Sequence, residues 1–180
     1  MTEKPFITLD HITVRLRDRR LLAGTCWQIG RGENWVIWGP NGAGKSTLAH
    51  VLTGQAAVVQ GAVRRHYRNH PAWCAGRTPI ALVSPEQYHR LYQHERLLSE
   101  MQHFAGRSPE STPAGDLLHT AGPAERSPAA QKRRERILDL LQMAAIGEQP
   151  LAALSSGEMR KLLLCQALLA DPCLLILDEP

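Results

Sequence analysis

A chain of 180 residues with 43% hydrophobic content is long enough to bury a core, and argues for one domain with an appended subdomain. Its 21 Lys+Arg against 17 Asp+Glu leave a formal charge of +4, which suits an anionic ligand and is too mild to call for a nucleic acid. The longest apolar runs, residues 162–165 and 173–177, fall far short of the roughly 20 residues of a membrane-spanning helix, so no spanning segment is expected.

Residues 1–6 carry no apolar stretch behind Lys4, so they do not read as a secretory signal, and a cytoplasmic setting is the default. Residues 6–14 alternate with a period of two and predict a strand with one buried face; polar residues 15–20 predict a turn. A second strand is predicted at Trp35-Val36-Ile37-Trp38, after the turn signal of residues 30–33, with both tryptophans in the core. A helix follows from Lys45 to Leu52, and Gly54 stands where helices end. Residues 80–83 read as a short buried strand broken by Ser84-Pro85, after which the composition turns polar and a different subdomain begins. The Ser, Pro, Gly and Ala of residues 105–130 predict a flexible excursion with no packed element. Residues 132–143 resume a helical pattern, with Ile137, Leu138, Leu140 and Leu141 as its apolar face and Lys132, Arg133 and Arg134 as a solvated basic face. Cys26, Cys74, Cys165 and Cys173 form no C-x-x-C pair, so neither a zinc site nor a disulfide framework is indicated and buried thiols are expected.

The segment between the second predicted strand and its helix, Gly39-Pro40-Asn41-Gly42-Ala43-Gly44-Lys45-Ser46-Thr47, fits G-x-x-x-x-G-K-[ST] in the strand-loop-helix context that such a match requires. Glycines let successive backbone N–H groups turn inward at a helix N-terminus, where side chains would obstruct a polyphosphate. Lys45 then reaches the β- and γ-phosphates, the Ser46 hydroxyl is placed to ligate Mg²⁺, and Thr47 adds a phosphate contact. The competing reading, a glycine-rich turn before a helix, leaves Lys and Ser in register unexplained. Residues 174–177 read as a buried parallel strand delivering Asp178 and Glu179 at its end, where ligands of open α/β sheets bind. Asp178 would hold Mg²⁺ through water and Glu179 would polarise the attacking water.

A third element, Leu154-Ser155-Ser156-Gly157-Glu158 leading into residues 159–170, has the S-x-x-E form of a capping box on a buried helix that ends near Asp171-Pro172. With the phosphate loop before it and the acidic pair after it, this combination resembles the ABC ATPase family, whose L-S-G-G-Q signature stands just ahead of the second acidic motif; Ser156 departs from its glycine. The resemblance implies an α/β P-loop NTPase core, a mixed sheet with flanking helices, joined by an antiparallel β subdomain and a helical insert. Residues 1–84 and 170–180 would form the ATP-binding core and residues 85–169 the helical subdomain. It further implies that two cassettes pair head to tail, so that Ser155, Ser156, Gly157 and Glu158 act in trans on the γ-phosphate bound by the partner. The γ-phosphate-sensing glutamine, also near the metal, maps to Gln87, and the adenine-stacking position maps to Leu16.

Residues 154–161 with 83–88 look most like the ModF/PhrA type, molybdate-system or photorepair ATP-binding proteins with two tandem cassettes. That likeness implies a first cassette ending after its acidic motif, with the Asp-containing loop and switch His expected beyond Pro180. The implied ligands are ATP and Mg²⁺. The implied partners are a second cassette, tandem or as a homodimer, and an integral membrane transport protein, with the chain cytoplasmic or peripheral at the inner membrane face. A soluble ATPase that remodels a ribosome or repair complex, and a binding remnant that never hydrolyses, are the alternatives.

Overall fold

The computed structural model describes residues 5–67, 80–104, 112–119 and 128–179. The chain divides into two compact units, Met1–Ile80 and Ala81–Pro180.

The first unit is built on a three-stranded antiparallel sheet in the order β2-β1-β3, formed by β1 (Ile7–Leu16), β2 (Arg19–Ile29) and β3 (Val58–Arg65). The period of two predicted for residues 6–14 holds at Ile7 and Leu9, which are buried, then changes phase so that Ile12, Thr13 and Val14 are all buried. Register shifts between Leu9 and Ile12 cause the change of phase. The tight turn at Arg17 and Asp18 lies within the predicted polar stretch. Strands β2 and β3 were not predicted as strands: Ile29 is the one fully buried residue of β2 and β3 has none, so neither carries an alternating apolar signal. Backbone pairing to β1 holds them instead.

Helix α1 (Lys45–Thr53) falls where the sequence placed it and is closed by Gly54, whose left-handed φ of 83° lets its N–H bond back to the last turn. Leu48, Ala49, Val51 and Leu52 give α1 its buried face. The Arg65 guanidinium of β3 donates to the Val51 carbonyl at 2.8 Å, satisfying one of the helix-end acceptors.

The predicted strand at residues 35–38 is corrected. No strand forms there, and Trp35 and Trp38 are 55% and 94% exposed, not core. Apolar residues alone do not make a strand; a strand needs a neighbour for its N–H and C=O groups, and none is paired with this run among the described residues. Trp35 instead sets its ring edge-on to Trp27 at 5.4 Å and donates to the Glu33 carboxylate at 2.8 Å.

The second unit holds a set of packed helices and two paired strands, β4 (Ile80–Val83) and β5 (Leu174–Leu177). Both strands, which the sequence reading grouped with the ATP-binding core, thus sort mainly with the helices by contact. Helix α2 (Pro85–Phe104) begins with Pro at its first position, where a missing N–H costs nothing. Helices α3 (Ala114–His119), α4 (Pro128–Leu140) and α5 (Ser156–Leu169) follow, with short 3₁₀ turns at Met143–Ala145 and Leu151–Ala153. Ala114, Leu118, Met143, Ile146, Leu151, Met159, Leu162, Cys165 and Leu169 form one buried cluster.

Four expectations are corrected here. Within the predicted flexible excursion of residues 105–130, residues 114–119 form α3, with Ala114 and Leu118 in that cluster, and residues 128–130 begin α4; residues 105–111 and 120–127 lie outside the described residues. A backbone bridge fixes its start, since Ala114 N–H donates to Gln149 C=O and Leu151 N–H to Thr112 C=O, both at 2.9 Å. On α4 the apolar face is Ile137 and Leu138, continued by Leu141, while Leu140 is 75% exposed. The basic residues of α4 are not merely solvated: Arg133 pairs with Asp171 at 2.8 Å and Arg134 donates to the Leu118 carbonyl at 2.8 Å, tying the helix to the ends of α5 and α3. Of the described cysteines only Cys165 is buried, and burial pushes its thiol up to about 11; Cys26 and Cys173 are exposed, and Cys74 lies outside the described residues.

No helix among the described residues is long and apolar enough to cross a membrane.

Candidate functional site

The loop that the sequence singles out is shaped by its own glycines and one lysine. Gly42 and Gly44 take left-handed φ values of 81° and 97°, which side-chain-bearing residues adopt at a cost. Gly44 is the N-cap of α1, and its carbonyl accepts the Leu48 N–H at 2.8 Å, so the helix starts directly from the last glycine. The first amides of a helix have no carbonyl behind them, and their partial positive charge favours an anion. Lys45 is half-buried and folds over the loop, its Nζ donating to the carbonyls of Gly39 at 3.0 Å and Pro40 at 3.1 Å. Ala43 N–H closes the same turn onto Pro40 C=O at 3.2 Å. Ser46 and Thr47 stand half-buried in the first turn, while Asn41, Gly42 and Ala43 are exposed. This arrangement offers backbone donors, a hydroxyl and an ammonium to an anion at one helix end. Leu16, the predicted adenine position, is exposed at the end of β1.

The remaining candidates lie in the second unit. Asp178 extends the pairing of β5, its N–H donating to Val83 C=O at 2.9 Å, which sets its half-buried carboxylate at the strand end. Strand β5 itself is less buried than predicted: Leu174, Leu175 and Ile176 are intermediate and Leu177 is 45% exposed, because β4 is its one paired neighbour among the described residues. Glu179 is exposed with a left-handed φ of 50°. Asp178, Glu179, Ser156, Ser84 and Lys161 line a single cavity of about 310 Å³. Ser84 is the one buried side chain among the described residues whose hydroxyl has no hydrogen-bond partner. Gln87 is not among the lining residues; it is half-buried in the first turn of α2, its N–H bonded to Ser84 C=O at 3.1 Å, while Tyr88 and His89 face the cavity.

At the start of α5 the predicted capping box is complete. Glu158 N–H donates to Ser155 Oγ at 3.3 Å, and the Ser155 N–H and hydroxyl donate to the Glu158 carboxylate at 2.8 and 2.6 Å. The Ser155 hydroxyl bond, followed by its backbone bond, holds the Glu158 carboxyl below its usual value. Ser155, Ser156 and Gly157 are exposed and Glu158 is half-buried. Sequence reasoning missed Ser84, Lys161 and Arg160 as cavity residues. A signal existed for Ser84, a polar residue closing a buried strand, but not for side chains whose direction depends on how α5 turns.

The order loop, capped signature helix, acidic strand end is accompanied by a matching family pattern: that described as ABC transporter covers residues 22–180. The chain belongs to the ABC transporter family. Zinc import ATP-binding protein ZnuC 1 of Hahella chejuensis is 32% identical over 180 residues, covering 100% of this chain and 58% of that protein. The ABC transporter ATP-binding protein ModF of Escherichia coli is 32% identical over 171 residues, covering 93% of this chain and 31% of that protein. A solved ATP-binding subunit of an ABC transporter aligns with a TM-score of 0.69 at 21% identity, over 97% of this chain and 66% of its own. The ABC fold expected from the motifs is therefore the fold found, mixed α/β with an antiparallel sheet and a helical part. This ABC family chain spans little more than half the length of the zinc-import relatives it matches.

Proposed function

We propose that this chain is the larger part of one ATP-binding cassette, which binds MgATP at residues 39–47 and, paired with a second cassette, hydrolyses it to drive transport of a small solute. The observation that carries the reading is the loop itself: glycines with left-handed φ feeding free helix-end amides, with Lys45 poised over them. In binding, the Lys45 ammonium exchanges the carbonyls of Gly39 and Pro40 for phosphate oxygens, a stronger charge-assisted contact. Residues 1–84 with 170–180 would form the ATP-binding core, and 85–169 the helical subdomain.

Mg²⁺ takes oxygen donors and keeps several waters; the family resemblance assigns it the Ser46 hydroxyl, the Asp178 carboxylate and the Gln87 amide, and within the second unit the cavity beside Asp178 also holds the unpartnered Ser84 hydroxyl. When bound, it neutralises charge on the phosphoryl group being transferred. Glu179 orients and polarises the attacking water, and the exposed Ser155, Ser156 and Gly157, with Glu158 bracing them, reach the γ-phosphate held by the partner cassette. Leu16 gives adenine an apolar contact.

Transport is supported by the names of the relatives, which describe a zinc importer and an ABC transporter; a cytoplasmic setting and an integral membrane partner are what the family resemblance implies. The ModF likeness supports a molybdate-related system; the ZnuC likeness, at the same identity, supports a zinc importer equally well. Co-purification of the full-length protein with an integral membrane protein is expected, and its consistent failure would favour a soluble remodelling ATPase. In the full-length protein, Lys45→Ala is expected to weaken MgATP binding at least tenfold by calorimetry, and unchanged binding refutes its role. Glu179→Gln is expected to keep ATP bound while abolishing turnover. Turnover at the parent rate would remove Glu179 from the chemistry.

A further inference from the structure

Strand β1 carries one residue too many for β2. Leu9 faces Trp27 and Ile12 faces Thr25, so Asp10 and His11 together stand opposite Cys26. Two residues against one make a β-bulge, which re-aims side chains that a regular ladder would send to opposite faces. His11 absorbs the extra length with a left-handed φ of 48°. The other neighbour, β3, is fitted to the same bulge. Asp10 pairs with Ala62 and Thr13 with Gln60, leaving Gly61 beside the displaced backbone, where a Cβ would strike the carbonyl oxygens of Asp10 and His11.

The bulge brings three kinds of metal-ligating atom together: a carboxylate oxygen of Asp10, an imidazole nitrogen of His11 and the Cys26 sulfur lie within 4.8 Å of one another. Contacts around them set their direction. His11 Nδ1 and Asp10 Oδ1 are 2.9 Å apart, and the Arg64 guanidinium donates to the other oxygen, Oδ2, at 3.0 Å. The His11 backbone N–H donates to Cys26 Sγ at 3.3 Å, while the thiol reaches its own acceptor, Gly24 C=O, only at 3.8 Å. The N–H directed at sulfur and the guanidinium on the outer carboxylate oxygen orient the candidate ligand atoms; such outer contacts recur around metal ligands. His11 and Cys26 are exposed and Asp10 is half-exposed, so an ion reaches them without disturbing the core.

We propose that Asp10, His11 and Cys26 form a three-ligand surface site for a zinc-class divalent cation, with a fourth position open to water or a partner. Thiolate, imidazole and carboxylate together select zinc-like ions over magnesium or calcium, which require oxygen. Ligand bonds of about 2.0–2.3 Å in a tetrahedron place ligand atoms roughly 3.5 Å apart, so side-chain adjustments of about 1 Å close the site. Nothing in the nucleotide loop takes part, and the site stands or falls independently of ATP binding.

The test is titration of the full-length protein, thiols reduced and nucleotide absent, with Co²⁺ as the spectroscopic probe. A thiolate-to-cobalt charge-transfer band at one ion per chain, displaced by Zn²⁺, is expected. Cys26→Ser should abolish this band and weaken Zn²⁺ affinity at least tenfold. His11→Asn retains a residue that tolerates a left-handed φ and should also weaken affinity at least tenfold with the fold intact by circular dichroism. Cys173→Ser, exposed elsewhere, should change neither. Absence of the band in the parent, its persistence in Cys26→Ser, or unchanged affinity in His11→Asn would each overturn the site and leave an ordinary hydrogen-bonded bulge.

Discussion

Residues 35–38 and residues 39–54 adjoin in the chain and behave differently. The second stretch closes on atoms that are near in sequence: Lys45 on Gly39 and Pro40, Leu48 on Gly44, Gly54 on the last turn of α1. The first has one local side-chain bond, Trp35 to Glu33, but its backbone groups have no paired strand among the described residues; it leaves Val36 93% exposed. The same contrast separates the capped start of α5, satisfied within four residues, from β5, whose burial depends on strands beside it. Elements that close on themselves are secured by contacts of a few residues' span, each of modest energy. Elements that depend on distant partners rest on a few contacts that cannot be replaced locally.

If that contrast is right, substitutions at long-range contacts should cost several times more than substitutions at local ones. Leu162 is fully buried among residues 114–169 of the helical cluster. Leu162→Ala removes its share of that core and leaves a cavity, an expected loss of about 3 kcal/mol, measurable as a lowered urea midpoint. Gly61→Ala tests the sheet in the same way. It places a methyl against the carbonyls of Asp10 and His11, some 50 residues away in sequence, and forces alanine to a φ of 81°, for an expected loss of roughly 2–3 kcal/mol. A loss below about 0.5 kcal/mol at Gly61 would mean that β3 shifts freely and that the bulge is not fixed from that side.

The contrast also explains what could be read in advance. The loop at 39–47, helix α1 with its Gly54 stop and the capping box of Ser155 and Glu158 were legible because spacing alone dictates them. Strand β1 was legible until its bulge, since a period of two carries no mark of an inserted residue. Strands β2 and β3 were not, being held by pairing more than by an apolar face. Helix α3 was hidden by the Ser, Pro, Gly and Ala around it; Ala114, Leu117 and Leu118 are its only apolar residues and became evident as core once α5 was packed against them. The meeting of Asp10, His11 and Cys26 was invisible for the same reason as the bulge that causes it.

The local side of the comparison is sharpened by Ser155→Ala, which should cost about 1 kcal/mol as the loss of one N-cap. Its pH dependence distinguishes the cap from general helix propensity. The Glu158 carboxyl is held below its ordinary value of 4.5 by the Ser155 hydroxyl and backbone N–H. A lowered folded-state value means that this contribution is fully present above the unfolded value and is lost as pH falls through the folded one. Ser155→Ala removes the hydroxyl bond but keeps the N–H bond, so the folded value moves back toward 4.5 and less stability remains to be lost on acidification. Thermal midpoints of parent and variant should therefore differ most at pH 7 and converge as pH is lowered below 4.5. A gap that stays constant with pH would show that serine acts there through pH-independent terms, the Glu158 N–H bond to its Oγ and its backbone preference, and that its hydroxyl bond to the Glu158 carboxylate contributes nothing to the start of α5.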